Sequence, residues 1–329
     1  MILKAWLRTL RLDPFVTALL ATVVVASFLP VRDAAADGLA LAAKGVIAML
    51  FFLHGAKLSR EAVVAGVTHW RLHLTVLSIT FLAFPLLGLA AGLLPEALLP
   101  KSLAMGVLFL ACLPSTVQSS IAFTSIARGN IAAAVCSASA SNLLGMALTP
   151  LLVGILLHAQ GNALGFSAAQ SIALQLLAPF IAGQLARRWV APWLARRARI
   201  VGVVDRFSVL LIVYSAFSGA VVAGVWKQVS AFELGVVVAV SAVMLAIVLA
   251  GSRRLARALG FSKEDEITIV FCGSKKSLIT GAPMAAILFP AATAGLMIIP
   301  LMVFHQMQMM ACAVIAQRYA ARGSSPGSA

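Results

Sequence analysis

Acidic side chains are scarce. Ten Asp and Glu residues stand against 25 Lys and Arg in a chain of 329. Those ten, Asp13, Asp33, Asp37, Glu61, Glu96, Asp205, Glu233, Glu264, Asp265 and Glu266, are expected at the ends of apolar segments or in loops. Acid–base chemistry on paired carboxylates needs two such groups in one cavity, so the inventory argues against a hydrolase, a metalloenzyme or an intramembrane aspartyl protease. No enzyme is expected. Cysteine is sparse as well: Cys112, Cys136, Cys272 and Cys312 fall in separate segments without a Cys-x-x-Cys pair, which reads as reduced, buried thiols rather than redox or metal chemistry. His69 and His73 are four apart, a spacing zinc can use. With no thiol or carboxylate beside them they read as interfacial anchors, and no metal site is expected. Charged residues make up only 11% of the chain and apolar ones 62%, too little polar surface to coat a soluble globule.

What is present is a series of apolar runs. Stretches near 15–31, 37–56, 72–94, 102–126, 131–157, 167–186, 204–226, 230–251, 267–289 and 293–317 each approach the roughly 20 residues needed to cross a bilayer. The connections between these ten are short. Placing the N-terminus in the cytoplasm puts every Lys and Arg on that side except Arg32, Lys101 and Lys227 opposite, and Lys44, Lys275 and Lys276 within segments. That bias sets both termini inside. The +15 net charge is therefore an insertion signal, not a nucleic-acid surface, and RRWVAPWLARRAR is the strongest contact for anionic lipid headgroups. A basic start, an apolar run and Ala34-Ala35-Ala36 imitate a secretory signal, but its loss would leave nine crossings and upset the charge pattern, so it is read as retained. RGSSPGSA reads as a disordered tail.

Polar residues inside the membrane gather in two places. One is LPSTVQSS (113–120), followed by SASASN (137–142); the other is FCGSKKSLITGAP (271–283), followed by HQMQMM (305–310). Pro114 in the first, and Gly273, Gly281 and Pro283 in the second, are expected to break their helices, and backbone freed at that depth must face protein or a cavity. The breaks fall in the fourth and ninth segments, five apart, and five is odd, so two such halves insert with opposite orientation. The chain is thus expected to be an all-α membrane protein of ten transmembrane helices, an inverted repeat of 1–165 and 166–320 with a tail at 321–329. Lys44 reads as packing with its amine carried to an interface.

In FFLHGAKLSREA, HWRLHL, LPSTVQSSIAFTSIARGN and FCGSKKSLITGAPMA the chain resembles the bile acid/sodium symporter superfamily, and within it the branch named after sodium/bile acid cotransporter 7. The resemblance implies a panel of helices 1, 2, 6 and 7 beside a core of helices 3, 4, 5, 8, 9 and 10, with broken helices 4 and 9 crossing in the core. In sodium-coupled relatives, hydroxyl and amide oxygens of the fourth and fifth helices and a Glu and a Gln of the ninth hold the ions. Matched by position, the fourth-helix ligands fall at Ser119 and Ser120 and the fifth-helix ones within Ser137, Ser139, Ser141 and Asn142. The ninth helix departs: the acidic position lands on Phe271 or Cys272, and the Gln position on Lys275. A sodium ion about 4 Å from a lysine charge is repelled by roughly 4 kcal/mol at an effective dielectric of 20, about three decades in affinity.

The expectation that follows is that Lys275 replaces the cation, its three donors on freed carbonyls and on Ser119, Ser120 and Ser139, with a proton substituting for sodium in the coupling. Lys276 is then assigned to an anionic substrate, together with Thr116, Gln118, Ser274, Ser277, His305 and Gln308. The competing account is that both lysines only brace the crossing or snorkel toward water. No cofactor is expected beyond a sodium ion at a residual hydroxyl and amide site. The function expected is secondary transport of a small amphipathic organic anion, and the alternative is a non-transporting membrane sensor or regulator that keeps the fold. Alanine and arginine enrichment with short loops points to a bacterial inner membrane. Substrate identity, coupling ion and oligomeric state are left open.

Overall fold

The computed structural model describes residues 14–57, 69–159 and 166–322, and among these it is helical without a strand. The basic N-terminal start, Arg60, Glu61 and most of the C-terminal tail lie outside the described residues. In chain order the helices are α1 (Pro14–Phe28), α2 (Asp33–Lys57), α3 (Trp70–Ser78), a π-helical turn (Ile79–Ala83), α4 (Phe84–Ala91), α5 (Lys101–Cys112), α6 (Val117–Ile126), α7 (Ile131–Ala159), α8 (Phe166–Arg196), α9 (Ala198–Val222), α10 (Val225–Gln228), α11 (Ala231–Ala258), α12 (Lys263–Gly273), α13 (Leu278–Leu288) and α14 (Ala291–Arg322). Local chemistry sets several of the starts. Ser230 and Glu233 form a reciprocal capping box at α11, while Ser262 and Ser277 accept the N–H groups of Asp265 and Thr280 at α12 and α13.

Among the described residues six helical runs, α3 to α4 counted as one, are long and apolar enough to cross a membrane, and α5 with α6, bent by 63° at residues 113–116, makes a seventh when the pair is taken as one span. The protein is an integral membrane protein. The count differs from the ten apolar runs for reasons visible in the elements. α12 and α13 have 11 residues each, about 16 Å at 1.5 Å per residue, so neither spans 30 Å alone. The long α8 carries Pro179, Pro192 and an arginine-rich end, and α1 is described over only 15 residues.

α2 and α8 make the closest helix pairing. A Cβ built on Gly55 would lie 2.0 Å from the Phe180 carbonyl oxygen, and one on Gly183 would lie 2.0 Å from that of Phe52. Two glycines facing each other's backbones let the helices approach as side chains would forbid. α9 packs on α1, α2, α13 and α14, and α14 packs on α5. Aromatic edges lock the interior: Phe84 against Phe304 at 5.7 Å and Phe109 against Phe289 at 5.3 Å.

One acid, Asp205, departs from the expectation that all ten sit at ends or in loops, and a second, Glu266, sits at a helix start but is buried. Asp205 is the eighth residue of α9, about 10 Å along it, and is buried. Glu266, just before the ninth apolar run, is buried too; its carboxylate accepts from Arg257 (2.9 Å), Lys263 (2.7 Å) and Tyr319 (2.8 Å), tying α11, α12 and α14 together. Burial alone would raise this carboxyl, but the three donors outweigh it and hold it at about 2 against an ordinary 4.5. A lowered carboxyl contributes stability above its unfolded value and loses it as the pH falls toward the folded one. We expect Glu266→Gln to lose about 3 kcal/mol near neutrality, and the wild type to lose the same amount between about pH 4.5 and pH 2. Thermal unfolding across that range checks both.

Candidate functional site

The interruptions at 113–116 and 274–277 meet and satisfy each other. Pro114 ends its helix by lacking an N–H, and its carbonyl accepts the Ser277 N–H at 2.9 Å. The Ser115 hydroxyl donates to the Cys272 carbonyl at 2.6 Å and that of Ser120 to the Phe271 carbonyl at 3.2 Å. The Ser115 N–H finds Ser141 Oγ at 3.0 Å, and the Thr149 hydroxyl reaches the Cys112 carbonyl at 2.8 Å. Gln308 of α14 brackets the Lys276 backbone, accepting its N–H at 2.8 Å and donating to its carbonyl at 2.9 Å. Backbone groups that hydrocarbon cannot satisfy are thus paired within the protein.

Lys276 completes the set. Its side chain is 0% exposed, and Nζ donates to the carbonyls of Thr80 (2.9 Å), Ala111 (2.7 Å) and Leu113 (2.7 Å), with the Phe84 ring 4.1 Å away. Each acceptor is free for a reason written in the chain. The carbonyls of Ala111 and Leu113 lie at the broken end of α5. In the π-helical turn the Phe84 N–H reaches back five residues to Ile79; the next link in that pattern would run from residue 85 to Thr80, and residue 85 is proline. Three oxygens and no donor face an amine with three protons, which is the setting of an ammonium ion.

This moves the carbonyl-binding role expected of Lys275 to Lys276. Lys275 is also 0% exposed, yet its Nζ has no hydrogen-bond partner among the described residues. It lies 3.9 Å from the Phe123 ring centroid and 5.8 Å from that of Phe271, and it makes no hydrogen bond to the carbonyls and serines assigned to it. Lys276, assigned to substrate, is committed to the crossing.

A cavity of about 420 Å³ lies beside the crossing. Of the residues expected at an ion site, Ser119, Ser139 and Asn142 line it; Ser120 and Ser141 serve the crossing instead, and Ser137 shares a 2.6 Å hydrogen bond with His73. His73 is accordingly buried rather than an interfacial anchor. Of the residues expected to meet substrate, Thr116, Gln118, Ser277 and His305 line the cavity, while Ser274 turns back to the Val270 carbonyl at 2.6 Å and Gln308 holds Lys276. Pro114 and Gly273 stand at the breaks as expected. Gly281 and Pro283 do not break a helix; both sit inside α13. Gly281 is there for space, since its Cβ would meet Leu113 at 2.5 Å, and Pro283, in the middle of the 11-residue α13, withholds one helical hydrogen bond without ending the helix. The four cysteines are unpaired and buried on four helices.

The far wall was missed from sequence. His54 and Lys57 of α2 and Asp205 and Arg206 of α9 line the same cavity, with Lys57 Nζ 2.5 Å from Asp205 Oδ2. A signal existed: Val201, Asp205, Ser208 and Ile212 recur at helical spacing on the buried face of α9.

Helices interrupted inside a bilayer, locked together beside a largely apolar cavity that carries a few polar and charged groups, define a membrane protein of the transporter class. Comparison with known proteins gives the same class: the SBF-like CPA transporter family matches residues 13–321, and the chain belongs to that family. It is 51% identical over 308 residues to a putative symporter, YfeH, of Escherichia coli K12, covering 94% of this chain and 93% of that one. It is 56% identical over 313 residues to an uncharacterized protein of Pseudomonas aeruginosa, covering 94% and 93%. Against sodium/bile acid cotransporter 7 of Mus musculus the identity is 28% over 274 residues, covering 82% and 80%.

Proposed function

We propose that the protein is a secondary transporter of a small amphipathic organic anion, working by alternating access, in which a fixed lysine replaces a bound sodium ion. The observation that carries this reading is Lys276 Nζ on three carbonyls where two broken helices meet. In this reading the ammonium that fills the cation's place is that of Lys276 rather than Lys275. Ten crossings in two inverted halves fit the breaks at 113–116 and 274–277, five segments apart. α1, α2, α8 and α9 then form the panel, and the remaining spans form the core that rocks against it. The cavity between them suits an amphipathic anion, because Lys57 and Arg206 face it alongside Phe15, Phe180 and Met309. A bacterial relative called a putative symporter and a mammalian one named for sodium and bile acid support a carrier, and the bias of Lys and Arg along the sequence supports placing both termini in the cytoplasm.

Of the residues expected at an ion site, Ser119, Ser139 and Asn142 are those whose oxygens could meet a sodium ion in the cavity. Without a carboxylate among them they hold it weakly, which leaves the proton as the stronger candidate for coupling. Proteoliposomes carrying the protein are expected to accumulate labelled cholate or octanesulfonate several-fold when a proton gradient is imposed, and less with sodium alone. Uptake that follows neither gradient removes the coupled-transport reading, and binding without uptake selects the sensor.

A further inference from the structure

The wall of the cavity opposite the crossing carries a charged pair of which the reading above uses only the lysine. Lys57, at the end of α2, holds Asp205 Oδ2. Asp205 is only 6% exposed, and its Oδ1 has no hydrogen-bond partner among the described residues. A buried carboxylate with one oxygen on a lysine and the other bare is half satisfied. Among the described residues, the titratable and charged groups that share its space are Lys57 and His54 from α2, Arg206 from α9 itself and His305 from α14; α1, α6, α7, α8 and α13 face the cavity with uncharged side chains. His54 is fixed by donating Nδ1–H to the Leu50 carbonyl at 2.7 Å.

The bare oxygen has room for one proton. Taking it cancels the charge that holds Lys57 and leaves two cations, Lys57 and Arg206, without a counter-ion among the described residues in a cavity with apolar walls. An oxyanion with a hydrocarbon body fits that vacancy of charge.

We propose that Asp205 is a proton-binding gate on an anion site formed by Lys57 and Arg206, so that an amphipathic carboxylate or sulfonate binds together with one proton. The proton goes to Asp205 Oδ1, the anion replaces the Asp205 carboxylate beside Lys57, and the pair enters without net charge. Linkage is reciprocal: the proton tightens the anion, and the anion draws in the proton. The proposal rests on the reading of the cavity as an organic-anion site.

The test uses the full chain in lipid nanodiscs and labelled octanesulfonate, whose own charge does not change with pH. Binding at equilibrium is expected to be about tenfold tighter near pH 5 than near pH 8, a span usual for two linked sites, with about one proton taken up per anion. Asp205→Asn is expected to bind alike at both pH values without proton uptake, and Lys57→Gln to bind weakly at both. Wild type that binds at neither pH, or alike at both, overturns the proposal, as does a pH dependence that survives in Asp205→Asn. If Asp205→Asn does not fold, His54→Gln and His305→Gln decide: a pH dependence kept in both supports Asp205, and its loss in either assigns the proton elsewhere. Because binding is read without flux, a protein that binds as expected but carries nothing removes the transport reading alone. Gradient-driven uptake without proton-linked binding removes this proposal alone.

Discussion

Lys276→Met is expected to destabilise the protein by about 5 kcal/mol and to loosen the crossing of the broken helices, while the same change at Lys275 leaves stability within about 1 kcal/mol of wild type or raises it. The difference lies in what each amine leaves behind. Removing Lys276 Nζ strands the carbonyls of Thr80, Ala111 and Leu113, and a buried polar group without its partner loses roughly 1–3 kcal/mol. Removing Lys275 Nζ strands nothing, because that amine has no hydrogen-bond partner among the described residues, and methionine of similar length still packs on Phe123 and Phe271. Thermal unfolding of the purified variants measures both. A further arm tests whether the Lys276 ammonium occupies a cation's place. In Lys276→Ala the three carbonyls surround an empty position, and sodium is expected to raise the unfolding temperature of that variant and not of wild type. Equal losses at the two lysines, or a Lys276→Ala protein indifferent to sodium, remove the idea of a fixed ion.

The second large effect is expected at the contact of α2 and α8. Gly183→Ala sets a methyl group 2.0 Å from the Phe52 carbonyl oxygen, and Gly55→Ala does the same against Phe180. Ordinary contact begins more than 1 Å farther out, so the helices must part along their length. Overpacking of this kind is expected to lose about 2–3 kcal/mol for either alanine, and leucine at both positions together is expected to yield no folded protein. Size-exclusion profiles in detergent, followed by thermal unfolding, report the result. His54 and Lys57 lie on α2 beside this contact, so uptake is expected to fall further than stability in the alanine variants that fold. A Gly183→Ala protein with wild-type stability and uptake shows that the contact is not a close one.

The elements near the site divide cleanly into legible and illegible. Pro114 announced its break because a proline cannot donate the bond that continues a helix, and the run of hydroxyls and amides around it had no other use at that depth. Gly281 and Pro283 carried the same local signal and did not break α13. One is small because Leu113 and Leu301 crowd it, and the other withholds one bond in the middle of a helix that continues on both sides of it. His73 looked like an anchor because it lies near the start of an apolar run, but Ser137 of α7 takes it inward. Asp205 looked terminal because its apolar run appeared to begin at residue 204, whereas α9 starts at Ala198. Lys57 was read only for which side of the membrane it marks, and its partner is 148 residues away.

The sequence by itself determined that the chain lives in a membrane, that polar groups and helix breakers gather in two segments five apart, and that two lysines among them need an explanation. Those conclusions rest on hydrocarbon thickness and on the energy of unpaired polar groups in lipid, which act on each stretch alone. Which lysine takes the carbonyls was decided only by tertiary structure, since the acceptors come from Thr80, Ala111 and Leu113, more than 160 residues earlier. One of them is free only because Pro85 withholds a hydrogen in a π-helical turn. Adjacent side chains are equivalent until the surrounding helices give each a different set of neighbours.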